Sequence, residues 1–306
     1  SCRGISMGMR SFSRVKNRKT PTFQAMFNLN GQLFAGIPEP ARLYQRPLYY
    51  ADTLFETMRA CQGRLPLLDK HWARLSGGMQ ALGMHIQPSW SADFFRQEIE
   101  KTKAFNARIR LTVWRLPGGK LLPEQNETAF LIETENLPDN HFPWHEAGLH
   151  IGVAESVRLA ADDYSRWKTL NIARYALAAR EAMQRGWDDA LLLNAQGRVV
   201  ESSICNLFWV ENDTVFTPPL HEGCVAGVMR EYLLEKLPSI GFMAIEKPIE
   251  TAELAACNDI FLTNAVRGIQ WVSQWGSSMF SSRLSKKIHE QMLFIPPSPT
   301  PIVALS

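Results

Sequence analysis

The chain has 306 residues, 45% of them hydrophobic and 21% charged, with a formal net charge of +3. It is long enough for two globular domains or one large one. The basic excess lies in residues 1–20, where Arg3, Arg10, Arg14, Lys16, Arg18 and Lys19 meet no acid; the remainder is slightly acidic, which argues against nucleic acid as a partner.

Residues 1–25 read as a disordered basic leader. They lack the uninterrupted apolar core of a secretory signal, and no run of about 18 apolar residues is present to span a bilayer, so a cytoplasmic protein without membrane contact is expected. At "MFNLNGQLFAG" the dipeptide Asn30-Gly31 predicts a tight hairpin between two strands. The stretch 52–84 predicts a strand, a turn at Gly63, a second strand, and a helix carrying Leu68, His71, Trp72, Leu75 and Met79 on one face. Further strands are predicted at "ARIRLTVWRL" and "TAFLIETENL", giving an antiparallel sheet with helices on one side. The proline-rich, polar stretch "NLPDNHFPWHEAG" marks a boundary near residue 146, dividing an N-terminal domain (26–145) from a C-terminal one (146–290), with a polar tail over 291–306.

The second half opens with the strand "LHIGVAESVR". Lys168 then stands just ahead of a helix whose face is predicted to comprise Ile172, Tyr175, Ala179, Ala182 and Met183, ending at Gly186. Strands follow at "DALLLN", "GRVVE", "ICNLFWV" and "TVFTPP", then a helix at "GVMREYLLEKL" and a strand at "NDIFLTN". The five cysteines form no C-x-x-C pair and the seven histidines no H-E-x-x-H spacing, so neither a disulfide framework nor a metal site is expected.

Six pieces, "YYADTLFETMR", "HWARL", "WKTLN", "ALLLNAQGRVVESSICNLFWV", "TPPLHEGCVAGVMR" and "IFLTNAVRGI", occur in an order and spacing that resemble the class IV aminotransferase family, over residues 26 to about 275. The resemblance implies a two-domain fold of α+β or α/β type, the fold-type IV architecture, with pyridoxal 5'-phosphate between the domains. It also implies a homodimer and a small-molecule amino substrate. Lys168 matches the lysine that holds the cofactor covalently, a role requiring an amine that can be neutral near pH 7. Glu201 matches the carboxylate at the pyridine nitrogen, which keeps the ring protonated and electron-withdrawing. Arg74 matches the phosphate-binding arginine. Gly227, with the backbone N–H groups of Val228 and Met229, matches the phosphate loop at a helix N-terminus. Asn264 and Ala265 fall in a further turn of the cofactor site, and Tyr50 and Arg110 match substrate-side positions, where Arg108 and Arg115 are alternatives to Arg110.

Two departures bear on the reaction. Ile172 stands where many relatives carry a tyrosine, and "TNAV" differs from the T-G-T-A turn of branched-chain aminotransferases, with Ala265 removing a hydroxyl. Together with "NLFW", these resemble the 4-amino-4-deoxychorismate lyases, which release 4-aminobenzoate and pyruvate in folate biosynthesis. The alternative is an aminotransferase of the branched-chain or D-amino acid type. A non-catalytic cofactor-binding protein is disfavoured by the presence of Lys168, Glu201 and Arg74.

Overall fold

The computed structural model describes residues 26–35 and 44–292. The leader expected over residues 1–25, and the expected tail from residue 293 onward, lie outside the described residues. Strands β1 (Met26–Leu29), β2 (Gln32–Ala35), β3 (Thr53–Ala60), β4 (Ala107–Arg115) and β5 (Thr128–Asn136) form an antiparallel sheet in the order β2-β1-β5-β4-β3. Asn30 and Gly31 both take positive φ, 49° and 88°, as a two-residue hairpin turn matched to strand twist requires. The strand predicted after Gly63 reduces to a single bridge between Cys61 and Arg64.

The helices accompanying this sheet are α1 (Gln45–Tyr50), α2 (Leu68–Ala81) and α3 (Ala92–Glu100). The two-residue period of a strand divides the sheet into two working faces. Leu54 and Met58 of β3 join Ile109, Leu111 and Val113 of β4 in a core with Leu75 and Met79 of α2 and Phe95 and Ile99 of α3. The intervening residues Phe55, Thr57, Arg59, Arg108 and Arg110 line a cavity instead.

The second sheet contains β6 (Leu149–Val153), β7 (Asp189–Leu193), β8 (Val199–Ser202), β9 (Asn206–Glu211), β10 (Thr214–Thr217), β11 (Met243–Glu246), β12 (Asp259–Asn264), β13 (Gly268–Trp275) and β14 (Ser278–Met279). Its order is β11-β10-β9-β12-β13-β6-β7-β8, and β8 pairs back onto β9, so the run from β9 to β8 closes on itself. The closing pair is Glu201 opposite Asn206. Helices α4 (Ala173–Arg185), α5 (Val228–Lys236), α6 (Thr251–Ala255) and α7 (Arg283–Met292) accompany this sheet.

Helix α4 buries only part of the predicted face, Ala182 fully and Tyr175 by half. Ala178, Glu181 and Ala182 turn inward, whereas Ile172, Ala179 and Met183 are exposed. The polar Glu181 is tolerated there because its carboxylate accepts the backbone N–H groups of Glu155 and Ser156 at 3.0–3.1 Å. No helix among the described residues is long and apolar enough to cross a membrane.

Candidate active site

A cavity of about 1370 Å³ lies between the two sheets, and most of the sequence-predicted residues meet in it: Arg74, Arg110, Lys168, Glu201, Gly227 to Met229, Asn264 and Ala265 all line its wall. The segment carrying Lys168 is stitched to β3. Phe55 N–H donates to Lys168 O at 2.9 Å and Leu170 N–H to Thr53 O at 3.1 Å. Trp167 is seated against the Gly77-Gly78 pair of α2, where a Cβ on Gly77 would lie 2.9 Å from the indole. The lysine backbone is therefore held by β3 and α2 of the first sheet's layer.

Lys168 Nζ lies 4.6 Å from the centroid of the Phe55 ring. Burial, with the charges of Arg74 and Arg110, pushes its pKa down to about 8 against the opposing pull of Glu56 and Glu201. A neutral fraction of roughly a tenth is thus available at pH 7, far more than an ordinary lysine offers and as an attacking amine or a proton acceptor requires.

Glu201 is buried at the closure of the second sheet and is held by three groups. Tyr175 Oη donates to Oε1 at 2.8 Å, Asn206 Nδ2 donates to Oε2 at 3.0 Å, and the Val225 N–H lies 3.2 Å from both oxygens. Burial pushes its pKa up to about 7, while these donors and the charges of Lys168 and Arg230 act in the opposite direction. The carboxylate is therefore poised to pair with a cationic N–H that enters the cavity.

Arg74 sits on α2 beside β3. Its Nε donates to Glu56 Oε1 at 2.8 Å, Nη2 to Glu56 Oε2 at 2.5 Å, and Nη1 to Ala226 O at 2.8 Å. These bonds fix the guanidinium and leave two of its N–H donors for an anion. Beneath it, His71 Nδ1 donates to Glu56 Oε2 at 2.6 Å. Burial lowers the His71 pKa, so the ring is neutral beside a charged Glu56.

Gly227 precedes the first turn of α5, and Val228 and Met229 are the helix's first two residues. Their N–H groups have no partner within the helix and carry the positive end of its dipole. A Cβ on Gly227 would fall 1.7 Å from Asn206 Oδ1, so only glycine lets α5 begin this close to the Glu201–Asn206 pair. The residues fit pyridoxal phosphate: anion donors come from Arg74 and the start of α5, a carboxylate suited to a protonated pyridine comes from β8, and a partly neutral amine stands in the same cavity.

The turn after β12 is braced from both sides. Asn264 Oδ1 accepts the N–H groups of Val266 and Arg267 at 3.0 and 2.8 Å, and Arg59 Nη1 donates to Val266 O at 3.0 Å. Asn264 thus shapes the turn, and Ala265 adds no hydroxyl to the wall. No group of three or more metal-ligating side chains occurs among the described residues.

Tyr50 does not join this constellation. It ends α1 with the buried Arg46 guanidinium 4.9 Å from its ring, and Arg46 is anchored on Asp52 at 2.8 Å and on the carbonyl of Lys120 at 2.7 Å, away from the cavity wall. Arg115 is likewise excluded as a substrate residue. It lies on the opposite strand face from Arg108 and Arg110 and pairs with Asp52 at 2.9 Å. Arg110 is on the cavity face, its guanidinium 4.0 Å from the Phe55 ring centroid. Sequence reasoning does not find Tyr175, Glu56 or Asn206 as site residues. The first reads as part of a helix's apolar face, and the other two act through partners brought to them by folding.

An aminodeoxychorismate lyase from Vibrio harveyi is 28% identical over 250 residues, covering 81% of this chain and 90% of that protein. A putative branched-chain-amino-acid aminotransferase from Methanocaldococcus jannaschii is 26% identical over 274 residues, covering 86% and 93%. The crystal structure of 4-amino-4-deoxychorismate lyase from Pseudomonas aeruginosa superposes with a TM-score of 0.73 at 27% identity, covering 87% of this chain and 99% of that one. Residues 53–275 match the amino-transferase class IV family, and the chain belongs to that family.

Proposed function

We propose that this chain is a pyridoxal-phosphate-dependent 4-amino-4-deoxychorismate lyase, forming 4-aminobenzoate and pyruvate. When bound, pyridoxal phosphate supplies an electrophilic carbon for the substrate amine and an electron sink for the bond broken next to it. Arg74 and the N–H groups of Val228 and Met229 would hold its phosphate, and Glu201 would keep its ring nitrogen protonated. Lys168 Nζ takes the proton from the amine-bearing carbon of the substrate. The substrate's own six-membered ring then becomes aromatic as its C–O bond to the enolpyruvyl side chain breaks, the oxygen leaving with the electron pair, and the proton passes to the methylene carbon of the departing enolate to give pyruvate.

The observation that carries the lyase reading over the aminotransferase one is the turn Asn264–Ala265–Val266. Its polar side chain is engaged in shaping the turn, and its next residue contributes no hydroxyl to the cavity. Similarity to lyases at 27–28% identity is matched by similarity to branched-chain aminotransferases at 26–28%, so the turn carries the choice. An aminotransferase would use the same Lys168, Glu201 and Arg74 and would need a keto acid to complete its cycle. Arg110 supports recognition of a substrate carboxylate from the opposite wall. The exposed apolar residues of α1 and α4, among them Leu48 (75% exposed) and Met183 (73%), support a homodimer.

The test is product balance. Purified protein loaded with the cofactor and given 4-amino-4-deoxychorismate is expected to release 4-aminobenzoate and pyruvate in equal amounts with no keto acid present. Rapid amino transfer from leucine to 2-oxoglutarate, without 4-aminobenzoate release, would leave the aminotransferase reading in its place.

A further inference from the structure

Tyr175 occupies the first turn of α4, lines the cavity and makes the shortest hydrogen bond that Glu201 receives, at 2.8 Å against 3.0 and 3.2 Å for Asn206 and Val225. Ile172, at the N-cap of the same helix, has no group with which to share this task. Burial, followed by the charge of Glu201, pushes the Tyr175 phenol above its ordinary value, so it remains an O–H donor throughout the working range. All three groups bonded to Glu201 are neutral. Beside the more distant charges of Lys168 and Arg230, the carboxylate's preference for its charged form therefore depends on how strongly these donors bind it.

We propose that Tyr175 is a positioning residue that acts through Glu201: its hydroxyl holds the carboxylate ionised and aimed, and thereby sets how far the shared proton resides on the pyridine nitrogen of the bound cofactor. This rests on the reading of Glu201 as the partner of that nitrogen. Without the phenol, Glu201 is the stronger base, the proton shifts toward it, and the ring loses part of its capacity to accept electrons.

The experiment loads the full-length protein with pyridoxal phosphate carrying 15N in the ring and compares the parent, Tyr175→Phe, and protein with 3-fluorotyrosine placed at position 175. A hydrogen bond to a charged group is strong enough to change the ratio of ring-bound to carboxyl-bound proton by roughly ten- to a hundredfold. In Tyr175→Phe the 15N resonance is expected to move toward the unprotonated pyridine position, with kcat reduced and KM little changed. The more acidic fluorinated phenol, which preserves the packing, is expected to move the resonance the opposite way. An unchanged 15N resonance in both variants, with the cofactor reducible by borohydride onto Lys168 in each, would overturn the role of Tyr175 alone. Failure of the parent to fix the cofactor on Lys168 would overturn the cofactor reading and this inference with it.

Discussion

Replacing Glu56 by Gln tests the foundation of the site. The side chain is buried, and its two oxygens take Arg74 Nε at 2.8 Å, Arg74 Nη2 at 2.5 Å and His71 Nδ1 at 2.6 Å. Burial raises its pKa, but the charge of Arg74 and the donors from His71 and Arg74 outweigh that and bring it to about 2 from an ordinary value of 4.5. Converted by linkage, the difference stabilises the folded state by about 3 kcal/mol at pH 7. That agrees with the ~3–5 kcal/mol cost of stranding one member of a buried ion pair. Because the folded value lies below the unfolded one, the stabilisation is complete above pH 4.5 and is lost as pH falls toward 2. Glu56→Gln is therefore expected to lower unfolding free energy in urea by about 3 kcal/mol at pH 7, with the gap to the parent narrowing to roughly half of that at pH 3. An affinity loss of about tenfold for pyridoxal phosphate, measured by equilibrium dialysis, should accompany it, because Arg74 loses the carboxylate that orients it. A variant within about 0.5 kcal/mol of the parent at pH 7 would refute the reasoning.

Lys168 should carry the borohydride-fixed cofactor in a peptide map, and its rate of covalent capture should rise with pH up to about 8 and then level off, as its pKa dictates. Since that value lies below the ordinary 10.5, the buried charge penalises the folded apoprotein below pH 8, and calorimetry should show the penalty relieved between about pH 8 and 10.5. Arg74→Ala should weaken cofactor affinity by about 2–5 kcal/mol. It should also destabilise the fold, because Glu56 is left buried without its cation; unchanged affinity in dialysis would remove Arg74 from the phosphate site. Gly227→Ala places a methyl against Asn206 Oδ1 and should cost about 1–3 kcal/mol by thermal unfolding while reducing cofactor retention.

The parts of this site that are legible in the sequence belong to contiguous motifs. Lys168, Glu201 and the Gly227 turn each lie in a short run whose spacing carries the resemblance, and the alternation in "FETMR" and "ARIRLTVWR" follows the strand period that separates core from cavity. Partnership between elements is not legible in that way. Glu56 meets His71 and Arg74 only because β3 packs on α2. The face of α4 is only partly assigned by periodicity: Ala182 is buried as expected, but Ala178 and the hydrogen-bonded Glu181, which carry little hydropathy signal, join it, whereas Met183 remains outside. Tyr50 sits in a motif shared with relatives, yet its position is decided by Arg46, whose partners come from the loop between β4 and β5.

The charge arrangement constrains which step can distinguish a lyase from an aminotransferase. Arg74 lowers the Lys168 pKa while its partner Glu56 raises it, so their influences on the amine oppose each other and burial is the dominant cause of the shift. At the other wall, Glu201 is supported by neutral donors and owes its elevated value to burial as well. The titration of the Lys168 amine and that of the Glu201 carboxylate are thus set chiefly by the packing of the two sheets, and under the proposed function neither depends on the identity of the substrate. Both reactions begin by removing the same proton, so they draw equally on this machinery. Their divergence comes afterwards, in whether a carbon fragment leaves or the amine stays behind. Under the proposed function that choice falls to the groups that line the rest of the cavity: Arg110 on β4 and the Asn264–Ala265–Val266 turn, which Arg59 ties to β3 and so to the strand that also anchors Lys168.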